Sequence, residues 1–577
     1  MSQKEVSDSE AYFSLGTHHR GVTTAHPESQ KWFNRGLIWA YAFNHEASAT
    51  CFSRAIALDP DCAMAHWGLA YAIGPNYNKP WEVFDEDELG NVVRRAHGAA
   101  RHAAAILAND KSGSAVERAL VGAIQSRYPD AVPSKPCSAW NADFAAAMKS
   151  VYDAFPHDLD VITIYADALM NTHPWTLWDL RTGAPTDGAP TLQIKNLLDR
   201  ALALEGALRH PGLLHLYIHL MEMSPSPESA LPIAEHLRGL VPDGGHLHHM
   251  PSHLDVLCGQ YQRAIDSNSA AIAADERYVA KIGARNFYTL YRAHNYHFRV
   301  YAAMFSAQYQ VALDTVSQLE AAIPDELLRV KSPPMADWLE AFVSLRAHVL
   351  IRFGRWDDII RNLHLPDDHN QTLYCTTTAI THYAKGVAFA ATGDIQAAEH
   401  QRHLFHTAVL HVPDSRTLFN NKCTDILAIA REMLDGEIHY RRGAIETAFT
   451  HLRRAIHLED NLPYDEPWGW MQPTRHAYGA LLLEQGHIQD ALDVYLADLG
   501  DTDVLPRAMR HPGNVLSLHG ARECLRRLGR EEEAEKIGER LAVAREKADV
   551  PVEASCFCRV GSGGVKFKGR GSIEVTM

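Results

Sequence analysis

Almost nothing in this 577-residue chain alternates with the period of a β-strand before about residue 555. Apolar residues recur instead at the three-to-four spacing of one helix face, stretch after stretch. A repeated punctuation divides these stretches: a glycine precedes a polar or aromatic residue, and an alanine falls inside the next apolar stripe. CGQYQRAID (258–266), ATGDIQAAE (391–399), RRGAIETAF (441–449), EQGHIQDAL (484–492) and RLGREEEAE (527–535) all show it. Ala448, Ala491 and Ala534 recur at intervals of 43, and Ala230 and Ala264 lie 34 apart. A pair of helices of this length cannot bury its apolar face alone, so successive pairs must stack on one another.

The copy nearest the N-terminus carries Gly36, Tyr41, Phe52, Ala55, Asp59-Pro60 and Trp67-Gly68. This pattern resembles the tetratricopeptide repeat. The resemblance implies an all-α fold: an α-solenoid in which helix hairpins form a right-handed superhelix. We expect that array over residues 1–545, with a histidine-rich centre at about 210–300, the repeat pattern being weakest between 75 and 205. A non-helical tail follows at 546–577, expected as a short hairpin or as chain without structure. Three stretches rich in Pro, Gly, Trp and Asp interrupt the helices: 74–88, 172–190 and 461–473. They exceed the turns a plain repeat needs and are expected to cap something.

Composition narrows the function classes. A formal net charge of −15 argues against nucleic acid or an anionic membrane as partner. No run of about 18 apolar residues is present, so no membrane span is expected. The polar, acidic start MSQKEVSDSEAYF lacks a secretory layout, and nine scattered cysteines do not make a disulfide framework. A soluble, cytoplasmic protein is the expectation. The unusual number is 34 histidines, nearly 6% of the chain.

HLYIHLMEM (215–223) and HMPSHLDVL (249–257) present H-x-x-x-H twice, 34 residues apart. In the first, Pro211 suits a helix start, and His215, His219 and Glu222 fall on one face. Stacked repeats should set His215 beside His249 and His219 beside His253. Pro251 complicates the second pair, because a helix starting there leaves His249 at its cap. His246 lies one turn earlier, and His294 and His297 in YRAHNYHF add two more rings.

Neutral imidazole nitrogens gathered without carboxylates between them suit a borderline metal, copper first and then iron or zinc. His215, His219, His249 and His253 are the expected ligands, with His246, His294 and His297 in reserve. His215, His219 and Glu222 would also fit a two-histidine, one-carboxylate iron site. H-E-x-x-H is missing: Leu216 and Met250 stand where a zinc protease keeps its glutamate, which weakens hydrolysis. Phosphate-binding and esterase motifs are absent too. Glu222 is a candidate catalytic group. Arg475 is another, placed to grip a substrate carboxylate beside Trp470 and His476. Cys556-x-Cys558 is a weak soft-metal motif.

The segments FNHEA (43–47), CAMAHWGLAYAIGPN (62–76), HPGLLHLYIH (210–219), GGHLHHMPSHL (244–254), HNYHF (294–298) and EPWGWMQPTRHAYGALL (466–482) resemble a bacterial and fungal subgroup of tetratricopeptide-repeat proteins. That resemblance implies a fold and a shared site rather than a reaction. The leading expectation is a copper or iron oxidoreductase acting on a small organic substrate. The alternatives are a scaffold that grips a peptide or protein without catalysis, and a zinc hydrolase.

Overall fold

Phe52 shows how the helices are held together. Its ring is wedged between two glycines of flanking helices: a Cβ at Gly36 would lie 2.9 Å from the ring, and one at Gly68 only 2.3 Å. The helices Pro27–Tyr41, His45–Leu58 and Ala63–Ala72 therefore close around one aromatic knob. The device recurs near the other end, where Tyr495 fills the space left by Gly479 and Gly520, at 2.8 and 2.4 Å. Turns between paired helices use left-handed glycines such as Gly443 (φ 79°) and Gly486 (φ 84°), a conformation that costs glycine nothing.

The structure, a computed structural model, describes residues 12–109, 112–133 and 135–559. It is an all-α array, helix hairpin following helix hairpin to Ala544. Among the described residues the only strands are a two-residue hairpin, Thr417–Leu418 paired with Asn421–Lys422. No described helix is long and apolar enough to cross a membrane.

The segment 546–559 differs from the expected free tail. The Asp549 carboxylate accepts the backbone N–H groups of Tyr309 and Gln310 at 2.6 and 2.8 Å, Arg559 pairs with Glu523 at 2.7 Å, and the sulfurs of Cys556 and Cys558 are joined. Buried Phe557 packs where Gly354 leaves room. The expected hairpin beyond 559 lies outside the described residues.

The centre is built by Pro211–Glu222, by Gly245–His249 and Pro251–Leu257, and by Thr289–Phe305, with Tyr261–Ile282 behind them. Pro251 breaks the second of these into two short helices. Gly245 lets the first one sit against Tyr261–Ile282, since a Cβ there would collide with the Asp275 carboxylate.

Candidate metal centre

Six buried histidines converge as two adjoining triads. His215, His219 and His246 form one, His249, His253 and His294 the other, and within each triad the candidate donor atoms lie within 4.8 Å of one another. Ring centroids of His215 lie 4.9 Å from those of both His219 and His246. Those of His249 lie 4.7 Å from His253 and 4.6 Å from His294. The triads touch at His246–His249, 5.6 Å, and at His219–His253, 6.0 Å.

Hydrogen bonds fix the proton on four of these rings. His215 donates from Nδ1 to the Tyr41 carbonyl at 2.6 Å. His219 and His253 donate from Nδ1 to the two oxygens of Glu222, at 2.7 and 2.5 Å. His249 Nδ1 lies 2.8 Å from Asn268 Oδ1, and that amide cannot be turned round because its Nδ2 donates to the Ala264 carbonyl at 2.8 Å. A neutral imidazole has one N–H, so the Nε2 of each ring is left as a bare lone pair. Among the described residues, His215 Nε2, His219 Nε2, both nitrogens of His246 and His294 Nδ1 have no hydrogen-bond partner.

The electrostatics agree with neutral donors. Burial, and then the neighbouring rings, hold His215, His246, His249 and His294 well below the usual histidine range. Burial works to raise Glu222, but His253 and His219 outweigh it and bring the carboxyl down to about 2.

Strained aromatics brace the cluster. Four described non-glycine residues have a positive φ, and three of them pack on candidate ligands. Phe43 (φ 54°) lies 4.4 Å from His215 and stacks on His219 and His246; Trp175 (φ 60°) lies 5.8 Å from His219; Phe419 (φ 48°) lies 4.4 Å from His294. Such backbone costs about 1–3 kcal/mol per residue and collects at functional sites.

A cavity of about 370 Å³ opens on His246, His253 and His294. All three interrupting stretches reach it: Phe84 and Asp85 from the first, Trp175 from the second, Asp465 and Glu466 from the third. Burial pushes Asp465 and Glu466 well above the usual carboxylate range.

The structure rearranges the expected ligand set. His219 does neighbour His253, but His246 rather than His249 stands beside His215, because the break at Pro251 shifts the register of the second helix. His294 completes the second triad. His297 stands outside both, its Nε2 2.8 Å from Met471 Sδ. Glu222 touches no bare nitrogen; it orients two rings from behind. The Arg475 fork is already held by Asp460 through two 2.6 Å bonds. His476 lies between Arg352 and Asp498, at 2.7 and 2.9 Å, and Trp470 packs on His348 and Tyr383. Each of these three is held by partners other than the triad histidines.

Sequence reasoning did not find Asn268, Tyr41, Phe43, Trp175 or Phe419. It also missed Asp160, which takes bonds from His18, His210, Tyr41 and Arg20 at 3.1, 3.0, 2.6 and 3.0 Å. His210 Nδ1 there accepts the Leu213 N–H, so this third cluster holds Tyr41 and the start of Pro211–Glu222.

No protein-family model and no curated protein matches the chain. Solved structures similar to it include the human IFIT1 dimer with m7Gppp-AAAA, at 10% identity over 84% of this chain and 90% of that one, with a TM-score of 0.32. Yeast Tom70 is similar at 12% identity over 91% and 92%, with a TM-score of 0.28. The P58(IPK) TPR domain is similar at 12% identity over 74% and 99%, with a TM-score of 0.17.

Proposed function

We propose that this protein is a metal-dependent oxidoreductase whose centre is a pair of transition-metal ions, one in each histidine triad. The observation that carries the reading is the approach of His249 Nε2 to His253 Nε2 at 2.7 Å. With both protons held on the Nδ1 side, two lone pairs face each other; a shared metal ion makes that contact favourable, as does a proton on one ring balanced by Glu222. Two nitrogens each about 2.0 Å from one ion and near a right angle lie about 2.8 Å apart.

Ligands that are all neutral imidazole favour copper, then iron or zinc. Such an ion supplies electron transfer and dioxygen chemistry when bound. The chain's own residues do the rest. Glu222, Asn268 and the Tyr41 carbonyl hold the rings in one tautomer and orientation. Phe43, Trp175 and Phe419 keep water from the ring faces, and the cavity holds a small organic substrate against His246, His253 and His294.

The test is metal analysis of purified protein, with a spectrum under air and under reductant. About two equivalents of a redox metal, reduced to about one in His246→Ala and in His294→Ala, supports the reading. A second reading rests on the helical-repeat architecture itself: a scaffold for a peptide or protein partner, with the histidines as interior lining. Metal-free protein with an intact fold and no uptake of added copper, iron or zinc would favour it.

A further inference from the structure

We infer that the cavity beside the triads takes a small organic cation: an ammonium group docked at Asp465 and Glu466, on an apolar body held by Trp175, Tyr291, Trp338 and Phe419. This rests on the reading of that cavity as the substrate site.

The acidic side chains of the wall are Glu82, Asp85, Asp337, Asp465 and Glu466; among the described residues no lysine or arginine lines it. The neighbouring cavity of about 380 Å³ makes the contrast, because Lys79 and Arg95 line it together with Glu46 and Glu88. Phe84 and Phe287 belong to both walls, and Lys79 Nζ lies over their rings at 4.2 and 4.6 Å while pairing with Glu88 at 3.0 Å. Arg416 lies 3.6 Å from Asp337, and Arg507 acts on Glu466 at longer range without pairing with it.

Burial grades these acids from mouth to floor. Glu82 is exposed, Asp85 and Asp337 are half-buried, and Asp465 and Glu466 are each 3% exposed. No described cation pairs with the two inner carboxyls. Glu466 accepts only the Tyr464 hydroxyl, at 3.3 Å; Asp465 takes the Asn420 N–H at 3.3 Å and the Asn421 amide at 3.2 Å. Burial favours the protonated form of these two carboxyls, and an ammonium group beside them favours the ionised form, so the cation and the ionised carboxyl stabilise each other.

The buried Tyr291 hydroxyl lies on the same wall beside Asn78, a further polar group of the cavity lining. The aromatic faces add cation–π attraction and shape. Position supports the assignment as well. Tyr464 lies 6.4 Å from Trp175, and Trp175 lies 5.8 Å from His219, so two aromatic rings link Glu466 to the first triad.

Calorimetry on the full chain, as purified and after chelation, tests this with three probes of similar size: 2-phenylethylammonium, 2-phenylethanol and 3-phenylpropanoate. The cation should bind at least about tenfold tighter than the alcohol, and the carboxylate should not bind measurably. Asp465→Asn combined with Glu466→Gln should bring cation and alcohol within about twofold while the alcohol's affinity holds. A salt series on the unaltered chain needs no variant to fold: from about 50 mM to about 500 mM the cation should weaken and the alcohol should not. Alcohol or carboxylate binding as tight as the cation, or cation affinity indifferent to salt, overturns the inference. Cation selectivity in chelated protein upholds it whatever the metal analysis shows, so its failure and that of the metal reading are separate results.

Discussion

His249 and His253 point bare nitrogens at each other across 2.7 Å, each with its proton held on the far side of the ring, by Asn268 and by Glu222. Two neutral rings in these tautomers cannot hydrogen-bond to each other, so the pair calls for a positive charge: a proton on one ring or a metal ion between them. Copper added to chelated protein should therefore bind at these rings, and replacing one of them should be felt unequally by the two triads. We expect His253→Ala to remove one of about two ions, and His215→Ala the other, read by elemental analysis after desalting. Equal loss of both ions in each variant would mean one shared site instead.

Glu222 lies behind both triads, one oxygen on His219 and the other on His253. Glu222→Gln keeps the size but puts an NH₂ group where one ring needs an acceptor, so one imidazole must turn or change tautomer. Affinity should fall about 10- to 100-fold at both ions, as is usual when a partner of a ligating histidine is lost. Competition with a chelator of known strength measures it. Asn268→Leu should weaken the second triad only.

The helical array was legible because stacking repeats its demand along the chain: Gly36, Phe52 and Gly68 show the same need at one end as Gly479, Tyr495 and Gly520 at the other. The rings of His215, His219, His249 and His253 were legible for the same reason, since helical period and repeat length together fix which faces meet. The membership of His246 and His294 was not. It depends on the break at Pro251, which alters the rotation of the first short helix and brings His246 level with His215. Asn268 carried no signal, because one asparagine in an amphipathic helix looks like any polar position. Phe43, Trp175 and Phe419 occupy backbone that local sequence disfavours and tertiary packing imposes.

At Gly212 the helix Pro211–Glu222 packs closely against its neighbours. A Cβ there would lie 2.6 Å from Tyr41 Cδ1 and 2.9 Å from Thr163 Cγ2. Tyr41 cannot move freely, for its hydroxyl is held by Asp160 at 2.6 Å and its carbonyl by His215 at 2.6 Å. Gly212→Ala should cost about 1–3 kcal/mol through overpacking. Because the strain falls on the carbonyl that orients His215, the first triad should also lose affinity for metal while the second keeps it. A thermal melt with paired metal titration reads both effects; a stability loss with both affinities intact would refute the coupling.

His297 lies next to the second triad without belonging to it. Burial, and then His348, bring it down to about 3, against an ordinary value of about 6.5. The folded chain thus keeps this ring neutral where the unfolded chain protonates it, so its contribution to stability is complete above about pH 6.5 and is lost as the pH falls toward about 3. Other buried groups titrate in the same range with the opposite sign, Asp275 and Glu459 being pushed up to about 7, so the whole-protein profile does not isolate one ring. The difference between the parent and His297→Asn does. Between about pH 5.5 and 4 the parent should lose stability faster than the variant by about 1.4 kcal/mol per pH unit, measured by denaturant unfolding at each pH. The variant should retain both metal ions at pH 7. Loss of an ion in His297→Asn would make that ring a ligand, and a slope unchanged from the parent would mean that it is already charged in the fold.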